Sequence, residues 1–401
     1  MFLPLGDEPN PQGVPYVNYA LIAINVVVYV LISLPLSFNA ADPQDPRVQE
    51  YVNAVSESLP PGVSPTQVIQ QISAYDLVVF SWGFRSVDPS LITLFTAMFL
   101  HGGFMHLFGN MLFLWIYGDN VEHRLGSFKY LFWYLATGVA ATVFYGMFAG
   151  RSPLPLVGAS GAISGVLGFY FLWFPHNKVR VFIFFFPFIM QTMLLRSRLV
   201  LGVYLILDNI FPFLISRGGG GGVAHGAHIG GFLAGVLVAW VAGLRQVSSR
   251  PEEFRARRVP AAEAPPIRKK VAAAIQGQRF DEAAKLYFEL SSNVTRGLLE
   301  PDDSIALGNW LAQNGHARAA LTVYQRHLRD YPAGQGVAEA HAYAGLLQLH
   351  VFREPTAAYQ HFMDALDLNP SPDVESLIRE GLSEIASVQK FQKFEARNRR
   401  R

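Results

Sequence analysis

Gly158-Ala159-Ser160-Gly161-Ala162-Ile163-Ser164-Gly165 decides how this chain is read. A serine stands in a glycine-rich run at the head of an apolar segment of membrane length. Two readings compete for it. Lipid supplies no hydrophobic drive between helices, so small residues there let backbones approach and gain dispersion energy. The other reading makes the serine a nucleophile. Two more stretches bear on the choice, Ala227-His228-Ile229-Gly230-Gly231 downstream and His101-Gly102-Gly103-Phe104-Met105-His106-Leu107-Phe108-Gly109-Asn110 upstream. Both put polar side chains inside apolar spans, where they are costly and mark function.

Over its 401 residues the chain is 51% hydrophobic and 15% charged, with net charge +2 and no cysteine. Those averages blend two unlike parts. Up to about residue 245 the apolar runs reach the roughly 20 residues of a spanning helix. Beyond it the chain is charged, Ala-rich and helical in pattern. Without cysteine there are no disulfides and no thiolate metal sites. The first apolar run follows an acidic, Pro-containing start with no basic region, so no cleavable signal peptide is expected.

Residues 1–15 hold four prolines and are expected to be an irregular tail. The expected membrane domain covers 16–244, with spans at about 16–36, 103–118, 128–149, 157–174, 199–215 and 223–243. Residues 38–90 form a long polar loop with an amphipathic helix near Pro65–Tyr75. The run before the second span is too long for one straight helix. Gly102-Gly103 should break it, at a cost of about 2 kcal/mol relative to alanine in a helix interior. Residues 91–101 are then a partly embedded loop. Residues 176–197 are Phe-rich, broken by Pro187 and flanked by basic residues, and read as interfacial. Five glycines, Gly218 to Gly222, precede the last span.

Basic residues orient the bundle. With the N-terminus inside, the inner loops carry Arg124, Lys129, Lys178, Arg180, Arg196 and Arg198, and the outer ones only Arg47, Arg85, Arg151 and Arg217. Residues 245–270 add eight more, Arg245 to Lys270, as an extended, Pro-containing linker that can touch anionic lipid. Both termini are expected in the cytoplasm of an integral membrane protein.

From 271 to 401 a pattern repeats. Ala284 and Phe288 return as Ala320 and Tyr324, then as Ala358 and Phe362, at offsets of 36 and 38 residues. Leu328 and Pro332 return as Leu366 and Pro370. This resembles tetratricopeptide repeats, helix pairs whose stacked concave face binds partner segments. The expected fold class is therefore all-α, a six-helix transmembrane bundle followed by a soluble helical repeat domain.

Depth separates the two readings of Ser160. Ser160 lies about one turn inside the outer end of the fourth span, and His228 lies at nearly the same depth in the sixth. His106 is one turn into the second span and Asn110 two. Scattered packing residues have no reason to share a level. A serine hydroxyl needs a base to take its proton, and histidine is tuned for that near neutral pH. At the head of a helix Ser160 also offers a developing oxyanion its backbone N–H and the positive end of a dipole. His106 and Asn110, at i and i+4, can donate toward the same point. Asp208 falls too far inward to orient His228, which favours a dyad over a triad. His225 rivals His228 as base, and His101 reads as structural. Gly158, Gly161, Gly231 and Gly235 are candidates for close helix packing. Neither cofactor nor metal is expected; a site from His101, His106, His225 and His228 lacks a nearby carboxylate or cysteine.

These motifs together resemble the rhomboid intramembrane serine proteases over about residues 16–243. The set is His106-x-x-x-Asn110, Gly158-x-Ser160-Gly161 and Ala227-His228-x-x-Gly231, in family order. Gly118-Asp119-Asn120-Val121-Glu122 resembles the family's turn after the second helix, where the glutamate is structural. The resemblance implies Ser160 as nucleophile, His228 as general base, and His106, Asn110 and the Ser160 N–H as the oxyanion hole. It implies single-pass transmembrane proteins as substrates, cut near the outer leaflet. Two departures concern packing and gating. Ser164 stands where some bacterial members have a tyrosine, and Trp82 and Arg85 are not the adjacent Trp-Arg pair of some first loops. A catalytically dead client-binding relative would have lost Ser160 or His228. A membrane-anchored scaffold would leave the matched polar set without purpose, and a transporter would spread it through both leaflets. Expected partners are membrane lipid and a protein of unknown identity on the repeats, with no nucleic acid.

Overall fold

The computed structural model describes residues 2–56, 64–185, 189–215, 224–248, 264–290 and 298–398. The five-glycine run and most of the 245–270 linker lie outside them. The chain divides into two compact units, Met1–Asp7 with Gly13–Ala239, and Glu8–Gln12 with Trp240–Arg401.

The first unit is built on α1 (Tyr16–Val28, continued through a π-turn to Ser37), α2 (Phe104–Leu125), α3 (Ser127–Phe148) and α4 (Ser160–Trp173), then α5 (Ser197–Leu205, continued to Ile215) and α6 (His225–Ser248) as far as Ala239. Tyr16–Ser37, Ser127–Phe148, Ser197–Ile215 and His225–Leu244 are each long and apolar enough to cross a membrane. Thr93–Phe99 and α2 pass the same test together as a pair bent by 94°. That bend sits at Gly102-Gly103, where the helix break was expected. α4 is shorter, at 14 residues. Apolar side chains such as Leu31, Phe132 and Leu237 point outward, as a lipid-facing surface requires.

α4 is the central helix. Every residue from Gly161 to Tyr170 is buried, and α2, α3 and α5 all pack on it. Glycines make that approach achievable. A Cβ at Gly231 would lie 2.1 Å from the Gly161 carbonyl oxygen, and one at Gly235 would lie 2.0 Å from that of Gly165. A Cβ at Gly161 would meet the Ala141 Cβ of α3 at 2.7 Å. The i, i+4 glycine pairs of α4 and α6 therefore run against each other in register.

The all-α expectation needs correcting, because the unit also holds a three-stranded sheet in the order β1-β2-β3. β1 is Phe2–Glu8, so the first half of the expected irregular tail is a strand, while residues 9–15 are irregular as expected. β2 (Lys178–Phe185) and β3 (Ile189–Arg196) pair antiparallel, Lys178 opposite Arg196 and Val181 opposite Met193. Lys178 and Arg180 are exposed while Val179 and Val181 are fully buried. That period-2 alternation builds strands within the stretch expected to be interfacial. β1 is pinned by Asp7, whose carboxylate accepts from Asn120 Nδ2 at 3.0 Å, Asn177 Nδ2 at 3.3 Å and the Tyr170 hydroxyl. Burial, then the neighbouring Asp119, holds the Asp7 carboxyl well above the usual carboxylate range.

Glu122 ties the first span to the second. Its buried carboxylate accepts from the backbone N–H groups of Val17 (3.1 Å) and Asn18 (2.7 Å) and from the Ser127 hydroxyl (2.6 Å). The first N–H groups of α1 have no helical acceptor, and an anion there also meets the positive end of the dipole. The Gly118–Glu122 stretch, expected as a turn after the second helix, lies inside α2, and its glutamate caps α1.

The second unit contains α7 (Ala264–Gln276), α8 (Phe280–Glu289), α9 (Pro301–Gln313), α10 (Ala317–Asp330), α11 (Val337–His350), α12 (Pro355–Leu366) and α13 (Pro372–Asn398). α7 packs with α8, α9 with α10, and α11 with α12. Ala284, Phe288, Ala320, Tyr324, Ala358 and Phe362, the recurring positions, are all buried. A Cβ at Gly308 of α9 would lie 2.3 Å from the Tyr324 ring, and one at Gly345 of α11 would lie 2.6 Å from the Phe362 ring. Each aromatic thus covers a glycine on the preceding helix.

Candidate active site

The glycine contacts between α4 and α6 set the register of two polar residues. Ser160 directly precedes Gly161, and His228 stands one turn before Gly231 on the same side of α6. Ser160 Oγ lies 2.7 Å from His228 Nε2. The other ring nitrogen, Nδ1, is 2.7 Å from Asn209 Oδ1. Asn209 Nδ2 in turn donates to the Tyr204 carbonyl at 2.9 Å, which leaves Oδ1 free to accept. His228 then carries its proton on Nδ1 and presents the Nε2 lone pair to the Ser160 hydroxyl.

Asn209 was not among the expected residues. It belongs to a π-turn, Ile206–Ile210, inside the α5 span. A polar side chain within an apolar run is a usable signal, and Asp208 beside it carried the same one. The extra residue of the π-turn changes which of the two faces α6, and a regular 3.6-residue helix does not anticipate it. Tyr204 also meets Ser164, with their hydroxyls 3.2 Å apart. Ser164 is fully buried and is filled in by an aromatic from the neighbouring helix.

His106 and Asn110 reach the same place from α2. A Cβ on Gly158 would lie 2.7 Å from His106 Cε1 and Nε2, and 3.7 Å from Asn110 Nδ2. Gly158 also has φ +125°, a conformation side chains rarely adopt. Both constraints require glycine before the serine. Gly102 N–H approaches His106 Nδ1 at 3.4 Å, which places the ring proton on Nε2, toward Gly158. Asn110 is buried, and its Nδ2 has no hydrogen-bond partner among the described residues. Ser160 is the first residue of α4, so its N–H has no helical acceptor. Gly158 N–H donates to the Ala97 carbonyl at 2.8 Å and fastens this turn to the short helical segment Thr93–Phe99.

A cavity of about 780 Å³ opens over this cluster, lined among others by His106, Asn110, Ser160, Tyr204, His225 and His228. His225 lines it without reaching Ser160; its ring centroid is 6.5 Å from that of His228. His101 is buried in the link between Thr93–Phe99 and α2, its backbone bonded in both directions to the Tyr75 hydroxyl. The arrangement offers a base for one hydroxyl and several N–H donors beside it, the equipment of acyl transfer.

The fold and site describe a helical membrane protein with a serine–histidine pair in an open cavity. Residues 88–245 match the rhomboid domain. The chain is 31% identical over 177 residues to rhomboid protein 1, mitochondrial, of Saccharomyces cerevisiae, covering 43% of this chain and 46% of that protein. It is 34% identical over 152 residues to rhomboid protease GluP of Bacillus subtilis, covering 38% and 26%. A third relative, rhomboid-like protein 11, chloroplastic, of Arabidopsis thaliana, is 28% identical over 157 residues, covering 38% and 53%. The chain thus spans about half, or less, of the length of these relatives. These matches liken residues 88–245 to the rhomboid domain, and the apolar helices support an integral membrane protein.

Proposed function

We propose that this protein is an intramembrane serine endopeptidase that cuts transmembrane proteins near the outer leaflet, with Ser160 as nucleophile and His228 as general base. The observation that carries the reading is the 2.7 Å approach of Ser160 Oγ to His228 Nε2. His228 takes the hydroxyl proton as Oγ bonds to the scissile carbonyl carbon. The carbonyl oxygen becomes an oxyanion facing the Ser160 N–H, His106 Nε2 and Asn110 Nδ2. His228 then returns the proton to the leaving amine, and a water repeats the cycle to release the acyl group. Asn209 holds the base in the right tautomer and is a positioning residue. Substrates are single-pass proteins whose helices unwind locally, since hydrolysis needs an extended strand. In this reading the bundle has six spans, both termini are cytoplasmic, and the second unit is a tetratricopeptide-like array that recruits a protein partner.

His106→Ala and Asn110→Ala each remove one oxyanion donor, and each should slow cleavage of a membrane-spanning reporter roughly 10- to 1000-fold. Both proteins should remain inserted and monodisperse. A double variant that cleaves at the parental rate would make these residues packing elements and the proposed oxyanion hole wrong.

Asn209→Ala should lower kcat about tenfold with KM little changed, the worth of one neutral hydrogen bond realised in the transition state. Asn209→Asp keeps the acceptor and should retain more activity than the alanine variant. If alanine changes only thermal stability, or aspartate behaves as alanine does, Asn209 supports packing and not the base.

A further inference from the structure

The second unit carries a side-chain cluster that the proteolytic reading does not use. His341 stands on α11. His361 and Asp364 stand on α12 at i and i+3, so both leave the same helix face. Packing of α11 on α12 brings His341 Nδ1 to 3.1 Å from His361 Nδ1 and to 3.8 Å from Asp364 Oδ2. All three residues are half-buried. Behind them the helix pair is held by Ala342, Ala358, Phe362 and Ala365, each fully buried. The donors therefore come from two helices in a well-packed contact.

Two imidazole nitrogens facing each other across 3.1 Å need something positive between them. One ring proton can serve, and so can a cation. An ion about 2.05 Å from each nitrogen would subtend an angle of about 100°, within the tetrahedral to octahedral range. The ligand atoms of the three residues lie within 4.8 Å of one another. Two ligands on opposite sides of one ion span about 4.2 Å, so a side-chain movement of under about 1 Å closes the set. Two imidazoles and a carboxylate suit zinc, copper, nickel or iron(II), not calcium or magnesium, which favour all-oxygen sites.

We propose that His341, His361 and Asp364 bind a divalent transition-metal ion, which bridges α11 and α12 and keeps further coordination positions for water or a partner's side chain. This differs from the membrane-histidine site set aside above, because it lies in the repeat unit and includes a carboxylate. It does not depend on the protease reading.

The test uses the full chain in detergent, purified without a histidine tag, stripped with chelator and dialysed against Zn²⁺. Bound zinc is counted by mass spectrometry. The parent should hold one more zinc per chain than the His341→Gln, His361→Gln double variant. Zinc should raise the melting temperature of the parent and not that of the variant, because an ion bound only by the native pairing stabilises it. Asp364→Asn, the milder change, should weaken zinc binding at least about tenfold, the cost of losing even an outer partner of a metal. Far-UV circular dichroism equal to the parent's certifies that the variants are folded. If the double variant does not fold, Asp364→Asn decides. Equal zinc content in parent and folded variants, or unchanged affinity in Asp364→Asn, would show a histidine contact without a metal and overturn the proposal.

Discussion

Ser160→Ala should leave an inserted, folded protein whose cleavage of a membrane-spanning reporter is lower by a factor on the order of 10⁴ or more. The effect is large because no neighbouring side chain can take the place of the hydroxyl. His106 and Asn110 are donors in this geometry, and Tyr204 is tied to Ser164. The fold should tolerate the change. Only one neutral hydrogen bond, that to His228, is lost, worth about 1 kcal/mol. The close helix contacts are made by Gly161 and Gly165, not by Ser160. Cleavage by Ser160→Ala at the parental rate, in protein free of contaminating protease, would end the nucleophile assignment.

The second large effect falls on the base. His228→Ala should lower the same rate as far as Ser160→Ala does, and the double variant should be no worse than either. Nucleophile and base act as a unit, so removing one removes the use of the other. His225→Ala is the control, since it lines the same cavity but is one helical turn away from the Ser160 contact. Its effect should be severalfold at most. A reversal of these two effects would move the base to His225. An additive loss in the double variant would show that the two residues work separately.

Much of this site is legible before any coordinates, for a physical reason. Polar side chains in apolar spans are few, and placing Ser160, His228, His106 and Asn110 on helices of known rise gives a common depth. The glycines are legible too, because close approach in lipid has few other solutions; Gly231 against Gly161 is an instance. Asn209 was hidden because its presentation depends on a π-turn, a local change of register that no periodicity announces. β2 and β3 were hidden by their Phe-rich composition and Pro187, which suggested an interfacial segment. The alternation of Lys178, Val179, Arg180 and Val181 carried the strand signal all the same. β1 could not be read locally, since four prolines surround Asp7 and its strand exists through partners far along the chain. In the second unit the recurring alanine and aromatic positions marked the core. His341 and His361 gave no such sign, because their meeting depends on how α11 lies on α12.

The most direct test of the central claim is covalent labelling of the purified, detergent-solubilised chain with a fluorophosphonate, followed by digestion and peptide mass spectrometry. A serine activated by a neighbouring base should take the label in preference to every other serine in the chain. The adduct is expected on the peptide containing Ser160, and should be lost in His228→Ala as well as in Ser160→Ala. No adduct on the folded parent protein, or an adduct at a different serine that persists in Ser160→Ala, would contradict it.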